Sequence, residues 1–184
     1  MRSHFTLVPT VLGARLHLHW SALALSLGLL ALWFRHPAEA LVVILSYYGI
    51  ILLHETGHAL VARRLGLRPF DITLYFIHGR CTYERPDTLR QDVLVAWGGV
   101  ALQLAVAVPL VVLAAFTPIL KLPLVGIVVA AFGHASLMIA ALNLMPMPGL
   151  DGARAWKIFP ILVADWRGRA AAKKKTRALL QRLK

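Results

Sequence analysis

Residues 40–62 read ALVVILSYYGIILLHETGHALVA. This run is long enough and apolar enough to cross a bilayer as a helix. It nevertheless contains His54, Glu55 and His58, and ionisable side chains inside a span are costly unless they have partners. The stretch therefore predicts a membrane protein with a polar site inside one of its spans.

The three ionisable residues form the pattern HExxH. Residues four apart lie on the same face of a helix, so His54 and His58 can share one metal ion. Glu55 lies beside the open coordination position, where it can take a proton from water and pass it to a leaving group. In the alternative interpretation, both histidines are buried and hydrogen-bonded, and Glu55 pairs with Arg63 or Arg64 at the helix end.

The composition of the whole chain also favours a membrane protein. Of its 184 residues, 59% are hydrophobic and 15% are charged, and the mean hydropathy is +0.69. A soluble protein could not cover so much apolar surface, which makes the bilayer its expected partner. The net charge of +12 would suggest nucleic acid in a soluble protein. In a membrane protein this excess belongs to cytoplasmic loops and tails, so we predict no nucleic-acid partner.

Four apolar stretches predict four transmembrane helices, at residues 20–34, 40–62, 93–116 and 122–145. The polar segment between the second and third contains two short β-prone runs on either side of His78-Gly79, which predict a β-hairpin over residues 70–83. The predicted fold class is an all-α polytopic membrane protein with about four transmembrane helices and a small membrane-associated β-hairpin.

The distribution of lysine and arginine predicts the orientation of these spans. Two lie before the first span, one in the first loop, six in the second loop, one in the third loop and ten after the fourth span. Basic segments favour the cytoplasm, so both termini are expected there. HExxH would then begin about 12 Å from the cytoplasmic end of its span, at about 1.5 Å per residue. We predict a membrane-embedded core over residues 1–166 and a basic cytoplasmic tail over residues 167–184.

A catalytic zinc ion usually has three protein ligands. Several side chains after the motif could supply the third: Asp71, His78, Asp87, Asp92, His134, Asp151 and Asp165. Asp151 is favoured because it follows the fourth span in NLMPMPGLDG, residues 143–152. The prolines interrupt the helix, and such irregular backbone is tolerated at membrane depth where it lines a cavity. Alternatively, Asp151 is only the N-cap of the next helix.

HExxH and NxxPxPxxDG together resemble the site-2 protease family of intramembrane zinc metalloproteases. The chain matches both patterns in full, at residues 54–58 and 143–152. Residues 99–103 resemble a third family pattern, GPxxN, with Val100 in place of proline and Gln103 in place of asparagine. The family resemblance implies a fold with the site inside the membrane.

The resemblance also implies roles for individual residues. His54, His58 and Asp151 would bind one Zn²⁺ ion, Glu55 would act as general base and acid, and Asn143 would contact the substrate. The implied activity is hydrolysis of a peptide bond in or near the transmembrane segment of a membrane-protein substrate, in a bacterial cell membrane. The sequence leaves open the substrate, the oligomeric state and the choice of zinc over another divalent metal.

Two other functions are compatible with a membrane metal site. One is a catalytically inactive zinc-binding membrane protein that binds or retains a client. Glu55 argues against it, because metal binding alone does not require that residue. The other is metal transport, which needs ionisable groups on several spans, whereas only the second and fourth regions carry them clearly.

The remaining histidines and the single cysteine are interpreted as structural or incidental. His134 lies within the fourth span, where we predict a polar packing contact. His17, His19, His36 and His78 lie near the predicted interfaces and are expected to be solvated. Cys81 is expected to have no special role.

Overall fold

A computed structural model describes residues 4–182, with only the backbone described at residues 8, 9, 170 and 174–182. Four strands are formed by β1 (His4–Val11), β2 (Ala14–His19), β3 (Pro69–Leu74) and β4 (Gly79–Tyr83). The α-helices are α1 (Trp20–Leu32), α2 (Pro37–Arg64), α3 (Leu89–Phe116), α4 (Pro123–Val129), α5 (Ser136–Asn143), α6 (Gly152–Ala155) and α7 (Ile158–Arg182).

Three helical stretches within the described residues are long and apolar enough to cross a membrane: Pro37–Arg64, Leu89–Phe116 and Pro123–Asn143. The first span was predicted over residues 20–34, and the helix found there, α1, has only 13 residues. At 1.5 Å per residue it is about 20 Å long, less than the hydrocarbon thickness of about 30 Å. Three long helices and one short apolar helix agree with the prediction of about four, and the predicted fold class is confirmed.

The β structure is larger than the predicted hairpin. β3 and β4 form that hairpin, and β1 and β2 extend it to a four-stranded sheet in the order β1-β2-β3-β4. β2 and β3 are parallel, with Arg15 opposite Asp71. Inward-facing Leu16 and Ile72 are buried against Ile51 of α2. The sheet thus rests on the helix that carries HExxH.

α2 and α3 cross where both helices have glycine. A Cβ on Gly98 would lie 2.6 Å from the carbonyl oxygen of Gly57. Such a short distance is possible only because neither residue has a side chain, as is common where transmembrane helices pack closely. The crossing brings α3 against the face of α2 that presents the two motif histidines.

The fourth span is interrupted by a turn of π-helix at Ala130–Ala135, between α4 and α5. The extra residue in such a turn changes the phase of the helix. As a result Ser136 is buried, whereas His134 is exposed on the helix surface. The predicted packing contact of His134 is therefore wrong.

α7 runs without interruption across residues 166 and 167, the predicted boundary between core and tail. Its first turns carry exposed apolar side chains at Phe159, Leu162, Val163 and Trp166. Those residues repeat at helical spacing, as in a helix that lies at a membrane surface. The division of the chain at residue 166 stays a prediction.

Candidate metal centre

α2 presents both motif histidines on the face that meets α3. His54 and His58 are buried, with their Nε2 atoms 3.0 Å apart. This arrangement follows from helix geometry, since residues four apart are one turn apart on the same face. Glu55 is also buried, with 6% of its surface exposed.

The segment after α5 brings Asp151 to these histidines. The helix ends at Asn143, and Gly152 packs against the carbonyl oxygens of Leu144 and Met145. This close contact turns the chain back so that Asp151 Oδ2 lies 2.9 Å from His54 Nε2 and 3.1 Å from His58 Nε2. Asp151 does precede α6, but its side chain makes no N-cap hydrogen bond. Its carboxylate contacts the two histidines instead.

His54, His58 and Asp151 are the only group of three or more His, Cys, Asp or Glu side chains suited to hold a metal ion among the residues that the structure describes. The donor chemistry fits such an ion. His58 Nδ1 lies 2.7 Å from the Val95 carbonyl oxygen. A carbonyl only accepts, so the hydrogen of neutral His58 is on Nδ1 and the lone pair of Nε2 faces His54 and Asp151. Nitrogen and carboxylate lone pairs that converge in this way are suited to bind one cation between them.

α3 leaves space for the two imidazoles at Gly99. A Cβ at this position would lie 2.6 Å from His54 Cε1 and 2.6 Å from His58 Nε2. One turn further along α3, the Oε1 atom of Gln103 lies 2.8 Å from His54 Nδ1. Sequence reasoning found Gln103 only as a departure from a family pattern. Its signal was a polar residue one turn after Gly99 in an otherwise apolar span.

Arg154 holds the other carboxylate oxygen of Asp151 and was also missed by sequence reasoning. Its guanidinium donates to Asp151 Oδ1 at 3.1 Å, Asp92 Oδ1 at 3.2 Å and the Tyr83 hydroxyl at 3.0 Å. Burial lowers the pKa of Arg154, but Tyr83 and the two carboxylates outweigh burial and raise it overall. The arginine thus stays charged and connects the loop after α5 to α3 and β4. Its signal in the sequence was a spacing of three residues from Asp151, which allows side-chain contact in a helix.

The first residues of β4 pass over Glu55. A Cβ on Gly79 would lie 2.5 Å from Glu55 Oε1, and the Cys81 backbone N–H donates to the same carboxylate. Burial, and secondarily the Glu55 charge, raise the pKa of the Cys81 thiol to about 12. Because Gly79 and Cys81 both lie against its carboxylate, Glu55 is enclosed between α2 and β4, one residue along the chain from His54.

The other candidate residues lie elsewhere. Asn143 is half-buried at the end of α5, and among residues 4–182 its side chain makes no hydrogen bond to the metal-ligand group. Its substrate contact stays a prediction. The remaining third-ligand candidates are not part of the group: Asp71, His78, Asp87, Asp92, His134 and Asp165.

His17 was expected to be solvated, and this expectation is wrong. Only 6% of its surface is exposed, because β1 and β3 both lie against β2. Its Nε2 atom lies 2.8 Å from Asp71 Oδ1, and its Nδ1 atom lies 3.1 Å from the Thr6 hydroxyl.

These features define a helical membrane protein with a buried group of two histidines and one aspartate that could bind one metal ion. The chain is 31% identical over 119 residues to a protein of Synechocystis sp. named "Putative zinc metalloprotease". The match covers 64% of this chain, which spans about a third (31%) of that protein's length. No protein-family model matches the chain.

The fold is similar to that of the site-2 protease from Methanocaldococcus jannaschii. The TM-score is 0.68 at 20% sequence identity, over 85% of this chain and 71% of the other. At this identity the match establishes the fold, and a shared fold leaves the chemistry to be argued from the site. The resemblance that HExxH and NxxPxPxxDG predicted is confirmed. The predicted cofactor agrees with the zinc metalloprotease relative and with a group that could bind one ion.

Proposed function

We propose that this chain is an intramembrane zinc metalloprotease, which hydrolyses a peptide bond in or near the transmembrane segment of a membrane protein. The observation that carries the proposal is the convergence of His54, His58 and Asp151 beside Glu55, within helices long enough to span a bilayer. Ionisable side chains in such a position call for a functional reason.

In this proposal His54, His58 and Asp151 would hold one zinc ion, with their Nε2 and carboxylate oxygen atoms as the available ligands. When bound, zinc would supply Lewis acidity, which polarises the scissile carbonyl and makes water a stronger nucleophile. Glu55 accepts a proton as the water oxygen attacks the carbonyl carbon. It then donates a proton to the leaving amide nitrogen as the C–N bond breaks. Asn143 would contact the substrate.

A transmembrane helix must unwind before it is cut, because its amides are shielded by their own hydrogen bonds. The free edge of β4 offers a place for the extended segment, since β4 pairs only with β3 among the described strands. β4 lies beside Glu55, since a Cβ on Gly79 would meet its carboxylate. We propose that the substrate pairs with β4 by strand addition.

The membrane context of this reaction is also proposed. The lysine and arginine distribution supports both termini in the cytoplasm, and the family resemblance supports a bacterial cell membrane. In that orientation residues 1–166 form the membrane-embedded core, and the basic residues from 167 to 184 lie on the cytoplasmic side.

The substitution Glu55→Gln tests the chemistry. Purified wild-type protein should bind one zinc ion and cut a single-span substrate. The Glu55→Gln variant should bind zinc equally and lose at least about 100-fold in cleavage rate. Full activity in that variant would rule out the role of Glu55. A wild-type protein that binds zinc and a client but cuts nothing would support the alternative of an inactive retention protein.

Strand addition needs its own test. Proline substitutions in β4 after Gly79 remove backbone donors from the edge, whereas alanine substitutions at the same positions keep them; Gly79 is left unchanged because any side chain there would meet Glu55. Cleavage of a helical substrate should fall much more than cleavage of a short peptide that is already extended. Damage to Glu55 or to the metal site would lower both rates equally, so equal losses would contradict strand addition.

A further inference from the structure

Gln103 is a fully buried amide in the middle of an apolar helix, with 0% of its surface exposed. A buried amide is costly unless both of its ends have partners. Here Oε1 lies 2.8 Å from His54 Nδ1, and Nε2 donates to Ser136 Oγ at 3.3 Å. Ser136 is also fully buried. The three side chains connect α2, α3 and α5 through a single polar path.

Gln103 belongs to a row of residues on α3 that faces the two histidines. Val95, Gly99 and Gln103 are spaced by four, so they lie along one face of the helix. The Val95 carbonyl oxygen holds His58 Nδ1 at 2.7 Å, and Gly99 leaves the space that both imidazoles fill. Gln103 thus offers an acceptor oxygen to His54 Nδ1, as the Val95 carbonyl does to His58 Nδ1.

We propose that Gln103 is the positioning residue of the metal centre, and this inference rests on the proposed function. Ser136 engages the amide nitrogen, which leaves the carbonyl oxygen for His54. Because that oxygen only accepts, it keeps the hydrogen of neutral His54 on Nδ1 and the Nε2 lone pair toward His58 and Asp151. A ligand imidazole whose second nitrogen donates to a fixed acceptor is held in one orientation and one tautomer.

The length of the side chain is part of the proposal. Gln103 reaches His54 from one turn beyond Gly99, and asparagine, which the family pattern has at this place, is shorter by about one C–C bond of 1.5 Å. Gln103→Asn should therefore lose the contact in this chain. Gln103→Glu keeps an acceptor oxygen at the same reach, and Gln103→Leu keeps most of the volume but has no acceptor.

Zinc affinity of the full chain in lipid nanodiscs, measured by competition with a chelator, tests the inference without any substrate. Gln103→Leu and Gln103→Asn should weaken binding by about 10- to 100-fold, and Gln103→Glu should stay within a few-fold of wild type. Ser136→Ala should weaken binding several-fold, because the amide then loses the partner that orients it. The visible spectrum of the Co²⁺-substituted protein should change in the Gln103→Leu and Gln103→Asn variants.

Several outcomes would overturn the proposal. One is wild-type affinity in Gln103→Leu, which would indicate a mere packing role, and another is wild-type affinity in Gln103→Asn. The third is a Gln103→Glu variant as weak as Gln103→Leu, which would show that an acceptor oxygen at this reach does not hold His54. Thermal unfolding of the metal-free variants identifies any that fail to fold. If Gln103→Leu is one of them, the zinc affinities of Gln103→Asn and Ser136→Ala test the proposal in its place. Cleavage is measured separately, so a wild type that binds zinc without proteolysis refutes the proposed function while the affinity series still decides the role of Gln103.

Discussion

Gly57 and Gly98 meet backbone to backbone at the crossing of α2 and α3, where a Cβ on Gly98 would lie 2.6 Å from the Gly57 carbonyl oxygen. Gly57 is also one of the two variable positions of HExxH, so this close helix contact and the metal motif coincide. The crossing sets how deeply α3 reaches toward His54 and His58.

The substitution Gly98→Ala should destabilise the protein, because the methyl group meets backbone that cannot move independently. We expect a loss of about 1–3 kcal/mol in the free energy of unfolding, as for other overpacked sites. Gly28→Ala is the matched control, since Gly28 lies in α1 with no atom within 4 Å of the added Cβ. It should be neutral or stabilising by up to about 1 kcal/mol. Equal unfolding of both variants in detergent would contradict the close crossing.

Gly99→Ala should affect the metal more than the fold. Its methyl group would lie 2.6 Å from His54 Cε1 and 2.6 Å from His58 Nε2, and side chains can move where backbone cannot. The imidazoles should shift apart, and zinc affinity should fall by at least about tenfold. Zinc content and thermal unfolding measured together for Gly98→Ala and Gly99→Ala should separate the two effects. A Gly99→Ala variant that binds zinc normally would show that the imidazoles do not occupy this space.

Arg154→Leu should weaken zinc binding by about 10- to 100-fold, because Asp151 Oδ1 loses the donor at 3.1 Å that orients the carboxylate. Arg154→Lys should recover only part of the affinity, since one ammonium group cannot reproduce the guanidinium fork. Asp92→Asn is the control. It weakens the ion pair of Arg154 at 3.2 Å but leaves Asp151 its donor, so its effect should be smaller. Equal affinity in the Arg154→Leu variant and wild type would argue against this role.

Asp71 should make the stability of the sheet depend on acid. Burial raises its pKa, but hydrogen bonds from His17 and Arg15 and the charge of Arg15 outweigh burial and lower the pKa overall. A carboxylate with a lowered folded-state pKa contributes stability above its unfolded pKa of about 4, and this is lost as the pH falls through the folded value. Asp71→Asn should be less stable than wild type at neutral pH by at most about 1 kcal/mol, since Arg15 is exposed.

The difference between Asp71→Asn and wild type should begin to shrink below about pH 4, and it should vanish only below the lowered folded-state pKa, where both side chains are uncharged. Thermal unfolding in detergent across this pH range measures it. Asp87→Asn is the control, because Asp87 is exposed and makes no ion pair among the described residues. A constant difference at every pH would show that the Asp71 charge does not contribute.

The extent of what sequence could predict is clearest from the two histidines and their surroundings. The spacing of four put His54 and His58 on one face of a helix, and the hydropathy of the stretch put that helix in a membrane. The hairpin at β3 and β4 was also foreseen from local β-prone runs. β1 and β2 were not foreseen as part of a sheet, because the parallel pairing of β2 with β3 joins segments separated by α1 and α2.

The sequence by itself determined the short-range features of this protein: the apolar spans, the shared face of His54 and His58, and the proline-interrupted segment before Asp151. Each depends on spacing and residue type within a few turns of chain. Only the tertiary structure decided which groups hold those side chains. Val95, Gln103 and Arg154 act through contacts across helix crossings, and such contacts depend on the close approach of Gly57 and Gly98 and on the turn at Gly152. The π-helical turn that buries Ser136 and exposes His134 is likewise a property of packing, because it changes the helical phase from which sequence spacing is read.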